Sequence, residues 1–172
     1  MKHLTLIRHA KSSWDDFGTD DFDRLLNKRG EKEAPHVGQT LEREFFTRNR
    51  IPRPCQLVSS PAKRALSTAR LIAWEIGYSS DRIVEEPRIY EASALTLLHL
   101  IRRFDDAFEH VMLFGHNPGL ETLAQALDSS FRGDGEKFPT CGVALMELKA
   151  AKWSELDEDG ATLTAFLCPK LL

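Results

Sequence analysis

The chain has 172 residues, a formal net charge of −3 and 42% hydrophobic residues, which suits one soluble domain with a real core. That charge gives no electrostatic reason to expect a nucleic acid or an anionic membrane as partner, and no apolar run approaches bilayer length. Cys55, Cys141 and Cys168 stand singly with no CxxC pair, so neither a structural zinc site nor a redox motif is expected, and a reduced, cytoplasmic setting is.

The first element is a short apolar run, Leu4-Thr5-Leu6-Ile7, ending in Arg8-His9-Ala10. Such a run suits a buried strand of an α/β sheet, and ligands in these sheets bind beyond the carboxyl ends of strands. No charged segment followed by an apolar one opens the chain, so no signal peptide is expected. Lys11 to Leu26 is a long polar loop, and long loops in compact domains are often functional. Its acidic pairs, Asp15-Asp16 and Asp20-Asp21, read as solvated surface, and Arg24 as a surface arginine. A helix is predicted after Asn27 as N-cap, with Ala34, Val37, Leu41 and Phe45 on one face. Pro35 inside that pattern predicts a kink or a late start.

Cys55 to Ser59 reads as a second buried strand, followed by Ser60-Pro61 as N-cap and first position of a helix running to about Gly77. Arg64 then falls in the first helical turn, where free N–H groups and the helix dipole favour an anion. Arg82 to Glu85 is a short strand candidate, and Pro87 to Ser93 a connection containing Tyr90-Glu91. A helix with Leu95, Leu98 and Ile101 on one side follows. Val111 to Phe114 is a clear buried strand that stops at Gly115-His116-Asn117-Pro118, where Asn117 and Pro118 repeat the N-cap and first-turn pattern. Leu120, Leu123, Ala124 and Leu127 continue that helix. Phe131 to Thr140 reads as a loop, and Val143 to Leu148 and Leu163 to Leu167 as an edge hairpin.

Three strand ends thus present Arg8-His9, Arg64 and His116. In a parallel sheet they converge on one crevice. Two guanidinium groups, two imidazoles and two helix N-termini suit a phosphoryl group, whose oxygens need donors and positive charge. They suit a metal poorly, because the arginines repel it and no carboxylate cluster accompanies the histidines. Neither a Walker loop nor a GxGxxG is present, which argues against an NTPase or a dinucleotide enzyme. His3, His36, His99 and His110 have no strand-end partner and read as surface or structural.

The order strand–Arg8-His9, then Ser60-Pro61-x-x-Arg64-Ala65-x-x-Thr68, then Gly115-His116-Asn117-Pro118 resembles the histidine phosphatase superfamily. Arg8-His9-Ala10-Lys11-Ser12, with Asp23-Arg24-x-Leu26 and Arg29-Gly30, is similar to the small SixA-type phosphohistidine phosphatases. Ala10 stands where most of the superfamily has Gly. The resemblance implies a single histidine phosphatase domain over residues 1–172. Its fold would be a three-layer α/β/α sandwich around a mostly parallel sheet with a C-terminal antiparallel edge hairpin, phosphoglycerate mutase-like. It further implies His9 as the nucleophile, with Arg8, Arg64 and His116 holding the phosphoryl oxygens. Glu91 matches the family's acid–base carboxylate loosely, since Tyr90-Glu91-Ala92-Ser93 differs from the mutase-like pattern. The implied activity is metal-independent and cofactor-free hydrolysis of phosphohistidine in a protein, a histidine phosphotransfer protein among them. The alternatives are a phosphatase of the same chemistry for a small phosphate ester, and a non-catalytic phosphate-binding module. The module would have no need of both His9 and His116.

Overall fold

The computed structural model describes residues 1–14, 18–133 and 137–172. The pair Asp15-Asp16 and part of the Phe131 to Thr140 loop lie outside them. In chain order the elements are β1 (His3–Arg8), α1 (Lys28–Leu41), β2 (Gln56–Ser59), α2 (Lys63–Glu75), β3 (Val84–Glu85), α3 (Ala94–Ile101), β4 (His110–Gly115), α4 (Gly119–Leu127), β5 (Val143–Leu148) and β6 (Ala161–Leu167). The sheet order is β3-β2-β4-β1-β5-β6. The first four strands are parallel, and β5 and β6 add antiparallel pairs. Strand alternation sends side chains into two separate cores. Leu4, Leu6, Val58, Val111, Leu113 and Met146 face α3 and α4, whereas Ile7, Leu57, Met112, Phe114 and Leu145 face α1 and α2. Helices on both sheet faces make the three-layer α/β/α sandwich, with the predicted C-terminal hairpin at its edge.

Strand β4 inserts between β2 and β1, although β1 and β2 come earlier in the chain. The crossovers through α1 and α2 lie on one face, and the return through α3 lies on the other. The chain therefore reverses its winding beside β1 and β4, the point at which open α/β sheets form their ligand crevice. Backbone bonding carries past the strand ends there: His9 N–H donates to the Gly115 carbonyl and Ser60 N–H to that of Phe114, at 3.1 and 3.0 Å.

Several local expectations need correction. Helix α1 does not start late: Asn27 caps it, its side chain accepting from Gly30 N–H, and Pro35 sits inside. An early N-cap and a buried stripe of Ala34, Val37 and Leu41 outweigh one lost backbone bond. Helix α2 starts at Lys63, not beside Ser60, because Ser60 Oγ accepts from Ala62 N–H in a turn that precedes the helix. In α3 the buried positions are Leu97, Leu100 and Ile101, and Leu95 is exposed. Ser93 caps that helix, so its start, and hence the phase of its apolar face, is set by the cap rather than by Leu95. Asn117 does not cap α4, which begins at Gly119 after Pro118. Among the described residues no helix is long and apolar enough to cross a membrane.

His110 anchors the start of β4 and is fully buried. Its Nδ1–H donates to the Pro52 carbonyl at 2.8 Å, so Nε2 accepts from the Thr5 hydroxyl, also at 2.8 Å. Burial pushes its pKa down to about 4. His9 and His116 are likewise depressed, to about 3 and about 4. Each of these histidines binds a proton more readily when unfolded, so each contributes stability that is complete above pH 6.5 and drains as pH falls towards the folded value. From pH 7 to 5 the loss is at most about 2 kcal/mol per histidine. Urea unfolding at the two pH values is expected to show this drop, and His110→Gln to show a shallower one; equal slopes for the two proteins would contradict it.

Candidate active site

The crevice is built from three strand ends. Arg8 closes β1, and His9 follows it, 6% exposed. Arg64 sits in the first turn of α2, 5% exposed. His116 follows β4. The structure brings these residues together: the His9 and His116 rings lie 5.3 Å apart, centroid to centroid.

The hydrogen bonds fix what each group has left to offer. His9 Nδ1 lies 2.7 Å from the Ala10 carbonyl oxygen. A carbonyl only accepts, so Nδ1 carries the proton and Nε2 of the neutral ring keeps its lone pair. Ala10 N–H donates to Thr68 Oγ1 at 2.9 Å, and Thr68 donates to the Arg64 carbonyl. The backbone after His9 is therefore tied to the helix that carries Arg64. Burial is the largest cause of the low His9 pKa, with His116, Arg64 and Arg8 adding charge repulsion. His116 Nε2 lies 2.8 Å from Ser60 Oγ. That hydroxyl also accepts from Ala62 N–H; with its proton directed at Nε2, the neutral ring leaves Nδ1–H of His116 as a donor. Nδ1 of His116 and Nε of both Arg8 and Arg64 are buried without a hydrogen-bond partner. These groups surround a neutral imidazole and are suited to an anion.

Arg8 Nη1 donates to the Phe138 carbonyl at 3.1 Å, and Asn117 Nδ2 donates to the same oxygen at 2.9 Å. Cys141 N–H donates to the carbonyls of both Arg8 and His9, at 3.1 and 3.0 Å, from a left-handed backbone with φ of 59°. Gly30 has a steric role: a Cβ there would collide with the Lys11 carbonyl, two residues beyond His9.

Asp21, which the sequence alone places on the solvated surface, lies beside Arg64 at the site. Its backbone carbonyl and Oδ2 accept from Arg64 at 2.6 and 3.0 Å. Oδ2 also accepts from the Tyr90 hydroxyl at 2.6 Å, and Oδ1 accepts from Arg24 Nε at 3.1 Å. Tyr90, then Arg64 and Arg24, hold its carboxyl pKa down to about 2. Arg24 is no simple surface arginine: its side chain is 10% exposed, reaches Ser12 Oγ at 2.7 Å and stacks on Trp14. The spacing Asp21-x-x-Arg24 was the available signal for their pairing; the contact with Arg64 spans 43 residues and had none. Tyr90 also meets His116 edge-on at 5.6 Å. Glu91 is exposed, with φ of 57°. It lines a cleft of about 440 Å³ together with Ser93, His116, Asn117 and Gly119. No cluster of metal-ligating side chains occurs among the described residues.

A mostly parallel sheet that gathers two arginines and two neutral imidazoles at its switch point has the architecture of a phosphoglycerate mutase-like α/β protein. The model of the histidine phosphatase superfamily (branch 1) matches residues 4–128. SixA from Agrobacterium tumefaciens is similar in structure, with a TM-score of 0.77 at 31% identity, covering 98% of each chain. An uncharacterized Mycobacterium tuberculosis protein is 32% identical over 171 residues, which cover 95% of this chain and all of that one. An uncharacterized chloroplastic protein of Arabidopsis thaliana is 30% identical over 162 residues, covering 90% of this chain and 70% of its own. The chain belongs to the histidine phosphatase superfamily, SixA type, and is a phosphatase.

The hydrogen-bond assignment is open to direct measurement. Nitrogen-15 spectra of the imidazoles at pH 6 are expected to show His9 neutral with the proton on Nδ1, and His116 neutral as well. A doubly protonated His9 at that pH would contradict the assignment.

Proposed function

We propose that the chain is a phosphohistidine phosphatase that hydrolyses phosphate from a phosphorylated histidine in a protein, through a covalent phosphohistidine on His9. The observation that carries this reading is the bond from His9 Nδ1–H to the Ala10 carbonyl, which leaves Nε2 as a free lone pair inside a ring of donors. In the first step Nε2 attacks phosphorus and the bond from phosphorus to the substrate breaks. The His9 ring becomes cationic, and the Ala10 carbonyl stabilises its remaining Nδ1–H. Arg8, Arg64 and His116 hold the phosphoryl oxygens as charge shifts between them. Water then attacks phosphorus, the bond to Nε2 breaks, the pair returns to the ring, and dihydrogen phosphate leaves. No step calls for a metal, because the two guanidinium groups supply the positive charge.

The phosphohistidine substrate is favoured by the likeness to a SixA protein at 31% identity. A histidine phosphotransfer protein fits as the phosphorylated partner, and the free thiols of Cys55 and Cys141 fit a cytoplasmic setting. One observation favours a small phosphate ester as a second substrate class. Glu91 lines the cleft beside His116, and an alkoxide leaving group needs an acid.

Rapid quench with labelled phosphohistidine protein is expected to trap acid-labile, base-stable label on the enzyme, absent from His9→Ala. Label on Ser59 or Ser60 would refute the nucleophile. EDTA is expected to leave the rate unchanged; loss restored by Mg²⁺ or Zn²⁺ would refute the metal-free mechanism. Glu91→Gln is expected to slow alkyl phosphates by about a hundredfold and phosphohistidine much less. If no substrate is slowed, Glu91 has no part in the chemistry.

A further inference from the structure

We propose that Asp21 is a specificity determinant that selects a substrate whose ring is protonated and leaves as a neutral imidazole, phosphohistidine, over an ester whose leaving group departs as an anion. This rests on the proposed phosphohistidine substrate. His9, Arg64 and His116 are nearly buried, so an incoming phosphoryl group reaches Nε2 only from the solvent side. In-line attack puts the leaving group opposite Nε2, in that same outer position. The next group outward from Arg64 is the Asp21 carboxylate, which is 47% exposed and bonded to Arg64 and Tyr90. Tyr90 in turn packs edge-on against His116. The carboxylate thus stands at the mouth, one hydrogen bond beyond the phosphoryl cradle.

Its chemistry there is electrostatic. Three donors, from Tyr90, Arg64 and Arg24, hold Asp21 ionised through the working pH range, so it has no proton to give. It is an anion that accepts. Phosphohistidine carries phosphorus on one ring nitrogen, and the other can be protonated. When it is, attack by His9 breaks the P–N bond, the electron pair returns to the ring nitrogen, and a neutral imidazole departs with its other N–H intact. When it is not, an imidazolate must leave, which is a far stronger base. A carboxylate at the mouth favours the protonated ring and accepts its N–H. An aryl phosphate departs as a phenolate, which the same carboxylate repels. Glu91 lines the cleft beside His116 and Asn117, but among the described residues no hydrogen bond ties it to the arginines, and the Glu121 carboxylate is engaged by Asn117 on the Arg8 side.

The test compares kcat/KM for a phosphohistidine-bearing carrier protein with that for p-nitrophenyl phosphate, in wild type, Asp21→Asn and Asp21→Glu. Asp21→Asn is expected to lower the ratio of the two values by about tenfold or more, the scale of a lost hydrogen bond between charged groups. Asp21→Glu is expected to restore most of that ratio. The high-pH limb of kcat for phosphohistidine, set by loss of the bound substrate's ring proton, is expected to move to lower pH in Asp21→Asn. An equal loss with both substrates and an unmoved limb would mean that Asp21 only positions Arg64, and would overturn the proposal while leaving the phosphohistidine substrate standing. A wild-type enzyme that turns over p-nitrophenyl phosphate but not phosphohistidine would overturn the substrate assignment and this inference together.

Discussion

Positive charge crowded against buried imidazoles is the constraint on which this site depends. Arg8 and Arg64 flank His9 and His116 inside one crevice. The protonated form of either histidine would be desolvated and repelled at once. Both rings are therefore neutral, which is the state that the proposed roles of nucleophile and uncharged donor require. The arginines need counterweights, and the fold supplies them sparingly. Asp21 takes two contacts from Arg64, and the Phe138 carbonyl takes one from Arg8. Each guanidinium keeps its Nε unspent. The site stores its binding capacity as donors without acceptors, at some expense to stability.

The sheet makes that concentration of charge possible. Strands β1 and β4 are adjacent and parallel, and so deliver His9 and His116 to the same end of the molecule. Arg64 arrives on a helix that starts at Lys63, shortly after Ser60. A position that reads as a helix cap also meets an imidazole. One hydroxyl serves both, its oxygen accepting from Ala62 N–H and lying 2.8 Å from His116 Nε2.

Much of this was legible in the chain. The apolar runs ending in Arg8-His9 and Gly115-His116 announced buried parallel strands, because only a strand covered on both faces is apolar throughout. The edge hairpin followed from paired short strands around a polar turn. The errors share a cause. Asp21, Arg24, Ser60 and Asn117 are short or charged side chains with several local uses, and the sequence displays only the local ones. Their partners, Arg64 for Asp21 and His116 for Ser60, are remote in the chain. The exposed Leu95 reflects a different matter, since a short helix has too few turns to fix the phase of its apolar face from pattern alone.

Cys141 bears on where the phosphatase unit ends. Residue 128 closes the stretch matched by the superfamily model, yet the N–H that clasps the carbonyls of Arg8 and His9 comes from residue 141. A side-chain-bearing residue with φ of 59° is held there against its own preference. The backbone entering β5 thus works as a clip across the root of His9, and the terminal hairpin anchors the clip. The backbone on either side of His9 is thus held by residues at both ends of the chain, Arg8 N–H itself donating to the Gly142 carbonyl.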